Sequence, residues 1–167
     1  MRWIIASPNL IRQRLLLALL DALGQPCTAT DFQRLLFLYT RAQEDPPSYG
    51  FVPYRFGSFS FTSYADKRRL IAAWLLENDE NRWTLTETGQ TLAREHSYDA
   101  RAVARFALQW SNLREDALVA EVYRRHPYYA TKSEILGRVL LPPPANDAST
   151  IPRYVVALRC FKTSRKS

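Results

Sequence analysis

The sequence predicts a mainly α fold: a winged-helix-like core of helices plus a small β-hairpin, followed by a helical C-terminal extension. Three observations predict it. Apolar residues recur at helical spacing behind N-cap signals along most of the chain from Leu10 to about Leu140. An extended aromatic segment, Tyr49 to Ser60, falls between the second and third helices. A turn cluster and a short extended stretch, Asn78 to Leu85, then separate the third helix from the fourth. The order helix, helix, extended piece, helix, hairpin-like turn, helix is that of a winged helix.

Ser7 and Pro8 open the first helix, Ser as N-cap and Pro at the first helical position, where its missing N–H costs nothing. Leu10, Ile11, Leu15, Leu19 and Leu23 share one side, and Leu16, Leu17 and Leu20 widen the stripe, which marks a central helix buried on most faces. Gly24 and Pro26 stop it. Thr30-Asp31-Phe32-Gln33 reads as a capping box for a second helix through about Gln43, with Phe32, Leu35, Leu36 and Tyr39 toward the core. Glu44-Asp45-Pro46-Pro47 ends that helix.

Gly50, Pro53 and Gly57 punctuate the aromatic segment, and Ser58 or Ser60 caps a third helix from Phe61 to about Glu77, polar at its start and apolar at its end. Arg82 to Leu85 is extended, and Thr84-Leu85-Thr86-Glu87 is a second capping box for a fourth helix whose first turn Gly89 weakens. Helices at about 99–109 and 114–125 follow, divided near Ser111-Asn112, and Thr131-Lys132-Ser133-Glu134 caps a short last one. Pro142 to Thr150 reads as a linker, Ile151 to Cys160 as a strand candidate and Lys162 to Ser167 as a basic tail. The expected organisation is a winged-helix-like domain over 1–96, a helical extension over 97–141, and linker, strand and tail over 142–167.

A chain of 167 residues, 47% hydrophobic and 23% charged, is long and apolar enough to bury one sizeable core and lies away from the disordered range. Its formal charge of +7 favours a polyanionic partner or an anionic surface without choosing between them. The two cysteines, Cys27 and Cys160, form no disulfide framework of the secreted kind, so the cytoplasm is the expected compartment. The longest apolar run, Leu15 to Leu20, falls far short of the roughly 20 residues that cross a bilayer, so no membrane role is expected.

No catalytic residues are expected. His96 and His126 sit at helix ends, where a cation complements the last carbonyls. The chain has no nucleophile elbow, no Gly-rich phosphate loop, no HExxH and no carboxylates paired in an apolar frame. Cys27, His96, His126 and Cys160 are each alone, whereas zinc ligands come in closely spaced pairs, so neither a metal nor a cofactor is expected. The cysteines read as small buried hydrophobes.

The functional signal lies in Tyr54 to Arg69. A recognition helix needs small polar and cationic residues in its N-terminal half, because these meet base edges and phosphates while the other half anchors in the core. Ser60, Thr62 and Ser63 fit the base-reading positions. Arg55, Lys67, Arg68, Arg69 and, on the wing, Arg82 fit phosphates. Asp66 to Arg69 also fit a solvated helix face, and many winged helices contact proteins without touching DNA. Tyr54, Phe56 and Phe59 suit a plug for the core better than a platform for stacked bases. An exposed aromatic patch here would point to a protein partner; buried aromatics beside an exposed basic helix would point to DNA.

Phe51-Val52-Pro53-Tyr54-Arg55-Phe56-Gly57-Ser58-Phe59-Ser60, with a helix before it containing Leu35-Leu36-Phe37-Leu38, resembles a prokaryotic F-x-P-Y-x-[YF]-G-x-F-S pattern. That pattern belongs to the Panacea (SocA-like) antitoxin and regulator domain, and to the N-terminal helical region of proteins that continue into a domain of unknown function opening with a Thr-Ile-Gly-Tyr-Glu-Gly strand. Arg124 to Ile135 also resembles a segment of the second group. Ser58 stands where the Panacea pattern commonly has proline, and the Thr-Ile-Gly-Tyr-Glu-Gly domain is absent here. The resemblance implies a winged-helix-like module without catalytic residues, either stand-alone or working with a separate partner polypeptide, in a phage-defence or mobile-element setting. The expected role is a nucleic-acid-binding regulator or defence protein, DNA ahead of RNA; the alternative is a non-catalytic, antitoxin-like or assembly module that binds a protein partner.

Overall fold

The computed structural model describes residues 11–95 and 98–140. Within them the chain is mainly helical: α1 (Ile11–Leu23), α2 (Ala29–Gln43), α3 (Phe61–Ala72), α4 (Glu87–Glu95), α5 (Ala100–Trp110), α6 (Glu115–Arg125) and α7 (Leu136–Leu140). Four short strands, β1 (Cys27–Thr28), β2 (Val52–Tyr54), β3 (Gly57–Phe59) and β4 (Arg82–Trp83), and a 3-10 turn (Pro127–Ala130) complete it. The expected opening at Ser7-Pro8, His96, the linker, the strand candidate with Cys160 and the basic tail lie outside the described residues.

Two helices form the centre. On α1, Leu15 to Leu20 are all buried, as the wide apolar stripe implied. On α2 every residue from Asp31 to Thr40 is buried, polar ones included. Helices α4 and α5 pack on α1, and α5, α6 and β3 pack on α2. Val103, Phe106, Trp110, Leu118 and Tyr123 therefore join the same hydrophobic core as Leu15, Leu36 and Trp83, so residues on both sides of 96–97 share one core.

The sheet geometry ties remote parts of the chain together. Strand β1 pairs antiparallel with β4, Cys27 opposite Trp83 and Thr28 opposite Arg82. Leu76 and Leu85 form an antiparallel bridge beside it. Trp83 is buried under Phe32, with ring centroids 4.4 Å apart.

This pairing shifts the helix starts. Thr28, not Thr30, caps α2: held extended by β1, its Oγ1 accepts from the Asp31 amide at 3.2 Å. Thr84 cannot cap α4, because its carbonyl accepts from the Glu77 amide at 3.0 Å; Thr86 does so instead, its Oγ1 accepting from the Gly89 amide at 3.0 Å. Near the last helix Thr131 turns back to the Tyr128 carbonyl, and Ser133 Oγ accepts from the Ile135 amide at 3.2 Å. Helix α3 ends at Ala72, not near Glu77, because Trp74 takes a left-handed φ of 59° and the Leu75 amide returns to the Leu70 carbonyl at 2.9 Å. That reversal buries Leu75 and brings Leu76 to its bridge with Leu85.

Candidate functional site

The hairpin β2–β3 pairs Val52 with Phe59, Pro53 with Ser58 and Tyr54 with Gly57, leaving Arg55 and Phe56 as a two-residue turn. Gly57 closes it at a φ of +113°, a conformation that side chains resist. A buried cation holds the turn from below: Arg34 of α2 donates to the Phe56 carbonyl at 2.8 Å and to the Asp31 carboxylate at 3.0 Å. The Glu134 amide donates to the Arg55 carbonyl at 2.8 Å from the other side.

Helix α3 is fastened at its first turn. Ser60 caps it, its Oγ accepting from the Ser63 amide at 3.3 Å. Gln33 of α2 spans this cap: its Oε1 accepts from the Ser60 amide at 2.9 Å and its Nε2 donates to Ser63 Oγ at 2.5 Å. Farther along, Asp66 is buried and accepts from Arg12 Nε at 2.5 Å, Gln13 at 3.1 Å, Tyr49 at 3.1 Å and Arg69 at 2.9 Å. Burial pushes its carboxyl up, but the hydrogen bonds from Arg12 and Gln13 outweigh that and hold it below the usual aspartate value.

Lys67 points inward. Its Nζ donates to the carbonyls of Asp79 at 2.6 Å and Arg82 at 2.8 Å, and lies 5.1 Å from the Trp83 ring centroid. Burial lowers its pKa, opposed by the charges of Asp79 and Glu80.

These contacts correct three of the sequence-predicted site residues. Ser60, Ser63 and Lys67 are buried and spend their polar atoms on the protein's own backbone and side chains, so they cannot reach base edges or phosphates. Arg69 is exposed but held by Asp66, and Arg55 lies 3.4 Å from the Glu134 carboxylate. Thr62, Arg68 and Arg82 are exposed, and the two arginines make no ion pair with any described residue. The outer face of α3 is thus Phe61, Thr62, Arg68, Arg69 and Ala72.

Of the aromatic segment Tyr49 plugs the core and Phe51 packs against it, whereas Tyr54 and Phe56, expected as part of that plug, are exposed and Phe59 is half-buried. Alternation along β2 turns Pro53 inward and Val52 and Tyr54 outward. Tyr54 is 41% exposed, Phe56 47% and Phe61 63%. The rings of Tyr54 and Phe61 belong to one contiguous series: Tyr54 lies 5.1 Å from Phe59, Phe59 lies 4.8 Å from Phe61 and 5.1 Å from Tyr64, and Tyr64 lies 5.8 Å from the buried Trp83. An aromatic surface is therefore braced from its rim to the core.

The chain matches no protein-family model, no curated protein and no solved structure.

Among the described residues no three His, Cys, Asp or Glu side chains cluster as a metal site, and no helix is long and apolar enough to cross a membrane. His126 packs its ring 4.9 Å from that of Phe37, and burial, then Arg41 and Arg125, lower its pKa. That disfavours the cation expected at this helix end. Sequence reading gave Gln33 to a capping box and Asp66 to a solvated helix face and passed over Arg34, yet these three buried residues position the face. Gln33 and Arg34 are polar residues set between the apolar Phe32 and the run Leu35 to Leu38, and that discord is the signal that could have marked them.

Proposed function

We propose that this protein is a non-catalytic protein-interaction module, antitoxin-like or an assembly subunit, that grips a protein partner through the β2–β3 hairpin and the outer face of α3. The observation that carries the reading is the pair of exposed rings Tyr54 and Phe61, 6.1 Å apart and both packed on Phe59, with Phe56 exposed at the hairpin turn beside them. Interface cores enrich Tyr and Phe and deplete Lys, and α3 has withdrawn its only lysine into the interior. Rigid aromatics offer large contact area at small entropic cost. The β1–β4 pair and the Leu76–Leu85 bridge around α1 to α4 support a winged-helix reading of the core, a fold used for protein contacts as well as for DNA. The sequence resemblance to the Panacea (SocA-like) domain and a cytoplasmic location belong to the same proposal.

One observation favours a second reading, nucleic-acid binding. Thr62, Arg68 and Arg69 share the outer face of α3, Arg55 and Arg82 are also exposed, and the chain carries +7. DNA binding through these side chains would need no metal or cofactor.

The two readings separate in one set of measurements: titration of the protein against a labelled random duplex and a single strand across a salt series, with Arg68→Ala/Arg82→Ala and Tyr54→Ala/Phe61→Ala variants. On the leading reading neither nucleic acid binds with a steep salt dependence, and a stoichiometric partner co-purifying from the native host is lost from the aromatic variant alone. Salt-steep binding that the arginine variant flattens, by about one unit of slope per lost phosphate contact, would overturn it in favour of DNA.

A further inference from the structure

A cleft of about 610 Å³ lies between α2, α5 and α6, away from the aromatic face. Each helix contributes one arginine to its lining: Arg41 from α2, Arg105 from α5 and Arg125 from α6, with His126 beside them. No carboxylate lines it. Arg125 shares its charge with Glu121, whereas Arg41 and Arg105 have no ion pair with any described residue and leave the cleft positive, which favours an anionic occupant.

Two of the three arginines are held in place. Arg41 donates from Nη2 to the Tyr129 hydroxyl at 2.9 Å and lies 5.7 Å from the Phe37 ring. Arg125 lies over Trp110 at 4.8 Å, and its Nε donates to Glu121 at 2.6 Å, outside the cleft lining. Arg105 is exposed and makes no ion pair with any described residue. Such positioning lowers the entropic cost of presenting guanidinium donors to a ligand. The Gln43 and Gln109 amides add neutral donors at the edge, and the volume lies in the range of small-molecule sites.

We propose that this cleft binds a phosphate-bearing small molecule, held by Arg41, Arg105 and Arg125. Guanidinium groups arriving from three helices suit a tetrahedral, multiply charged oxyanion better than a planar carboxylate, which one fork satisfies. The phosphate comes from a free polyphosphate or from a nucleotide. None of the lining residues belongs to the aromatic face, so this proposal stands or falls separately from the partner-binding reading.

The test is calorimetric titration of the full chain with sodium pyrophosphate and, separately, with ATP, at constant ionic strength. Saturable binding of pyrophosphate is expected, weakened about tenfold or more in Arg105→Ala and in Arg41→Gln, and unchanged in Arg68→Ala. Equal affinities would assign the free polyphosphate, and tighter ATP binding the nucleotide. Arg105 is exposed, so the melting temperature of Arg105→Ala should match that of the parent and separate loss of binding from loss of fold. No saturable heat up to about 1 mM of either probe, or binding that Arg105→Ala leaves intact, would overturn the proposal. So would binding of a single-stranded oligonucleotide through these arginines with none of pyrophosphate.

Discussion

The Lys67 ammonium lies 5.1 Å from the centroid of the buried Trp83 ring and closes the loop between α3 and β4 by donating to the Asp79 and Arg82 carbonyls. It is a strut, not a contact for a ligand. Lys67→Met keeps most of the packing but leaves both carbonyls without this donor. A loss of about 2 kcal/mol is expected, read as a lower midpoint in urea unfolding. Under conditions where the variant remains folded, the salt dependence of any nucleic-acid binding should equal that of the parent chain. A flatter slope would return Lys67 to the surface role that its charge implies.

Gly89 makes a different kind of contact. A Cβ built on it would fall 2.0 Å from the Leu75 carbonyl oxygen, so α4 crosses the Leu75 backbone where only glycine fits. Gly89→Ala gains about 1 kcal/mol of helix propensity in isolation. Here overpacking against backbone opposes that gain, and a net loss of about 1–3 kcal/mol is expected. A thermal melt of the variant at or above the parent's midpoint would refute the close approach.

The weak first turn that Gly89 implied from sequence and the close approach found in the structure show where local reading stops. Helices α1 and α2 were legible because their apolar spacing is a local property and burial follows from it. The caps at Thr30 and Thr84 were misread by two residues because β1 and the Leu76–Leu85 bridge, paired across the chain, decide where each helix begins. Ser60, Ser63 and Lys67 have the residue types of a DNA-reading helix, but the group that claims both serines is Gln33, on another helix. Residue type alone does not say whether a serine caps a helix or meets a ligand. The arginine cleft had no local signature, since Arg41, Arg105 and Arg125 come from three separated helices.

Trp74 is 81% exposed and holds a left-handed φ of 59° at the reversal that ends α3. Helix ends of this form favour glycine, because a side chain in that region costs about 1 kcal/mol or more. The indole is largely solvated, so Trp74→Gly forfeits little packing. The variant should melt at or above the parent temperature, with a gain of up to about 1 kcal/mol. A clear destabilisation would show that the exposed ring supports the fold.

Acid should weaken the fold in two stages. His126 has a folded pKa below its ordinary 6.5, caused first by burial and then by Arg41 and Arg125, so between the two values the unfolded chain binds more protons. Stability therefore falls as pH drops below about 6.5, and the penalty levels off below the folded value. Asp66 and Glu121 act lower. Hydrogen bonds from Arg12 and Gln13 overcome burial to lower Asp66, and the hydrogen bond from Arg124 leads the effects that bring Glu121 down to about 2. Their contributions are complete above the unfolded values of 3.8 and 4.5 and disappear as pH falls through the folded ones. Melting curves from pH 8 to pH 3 should show both declines. His126→Gln should flatten the segment just below pH 6.5 and leave the acidic limb, whereas Asp66→Asn should reduce the acidic limb and leave the first. If His126→Gln leaves the first decline unchanged, the buried imidazole beside Arg41 and Arg125 is not its source.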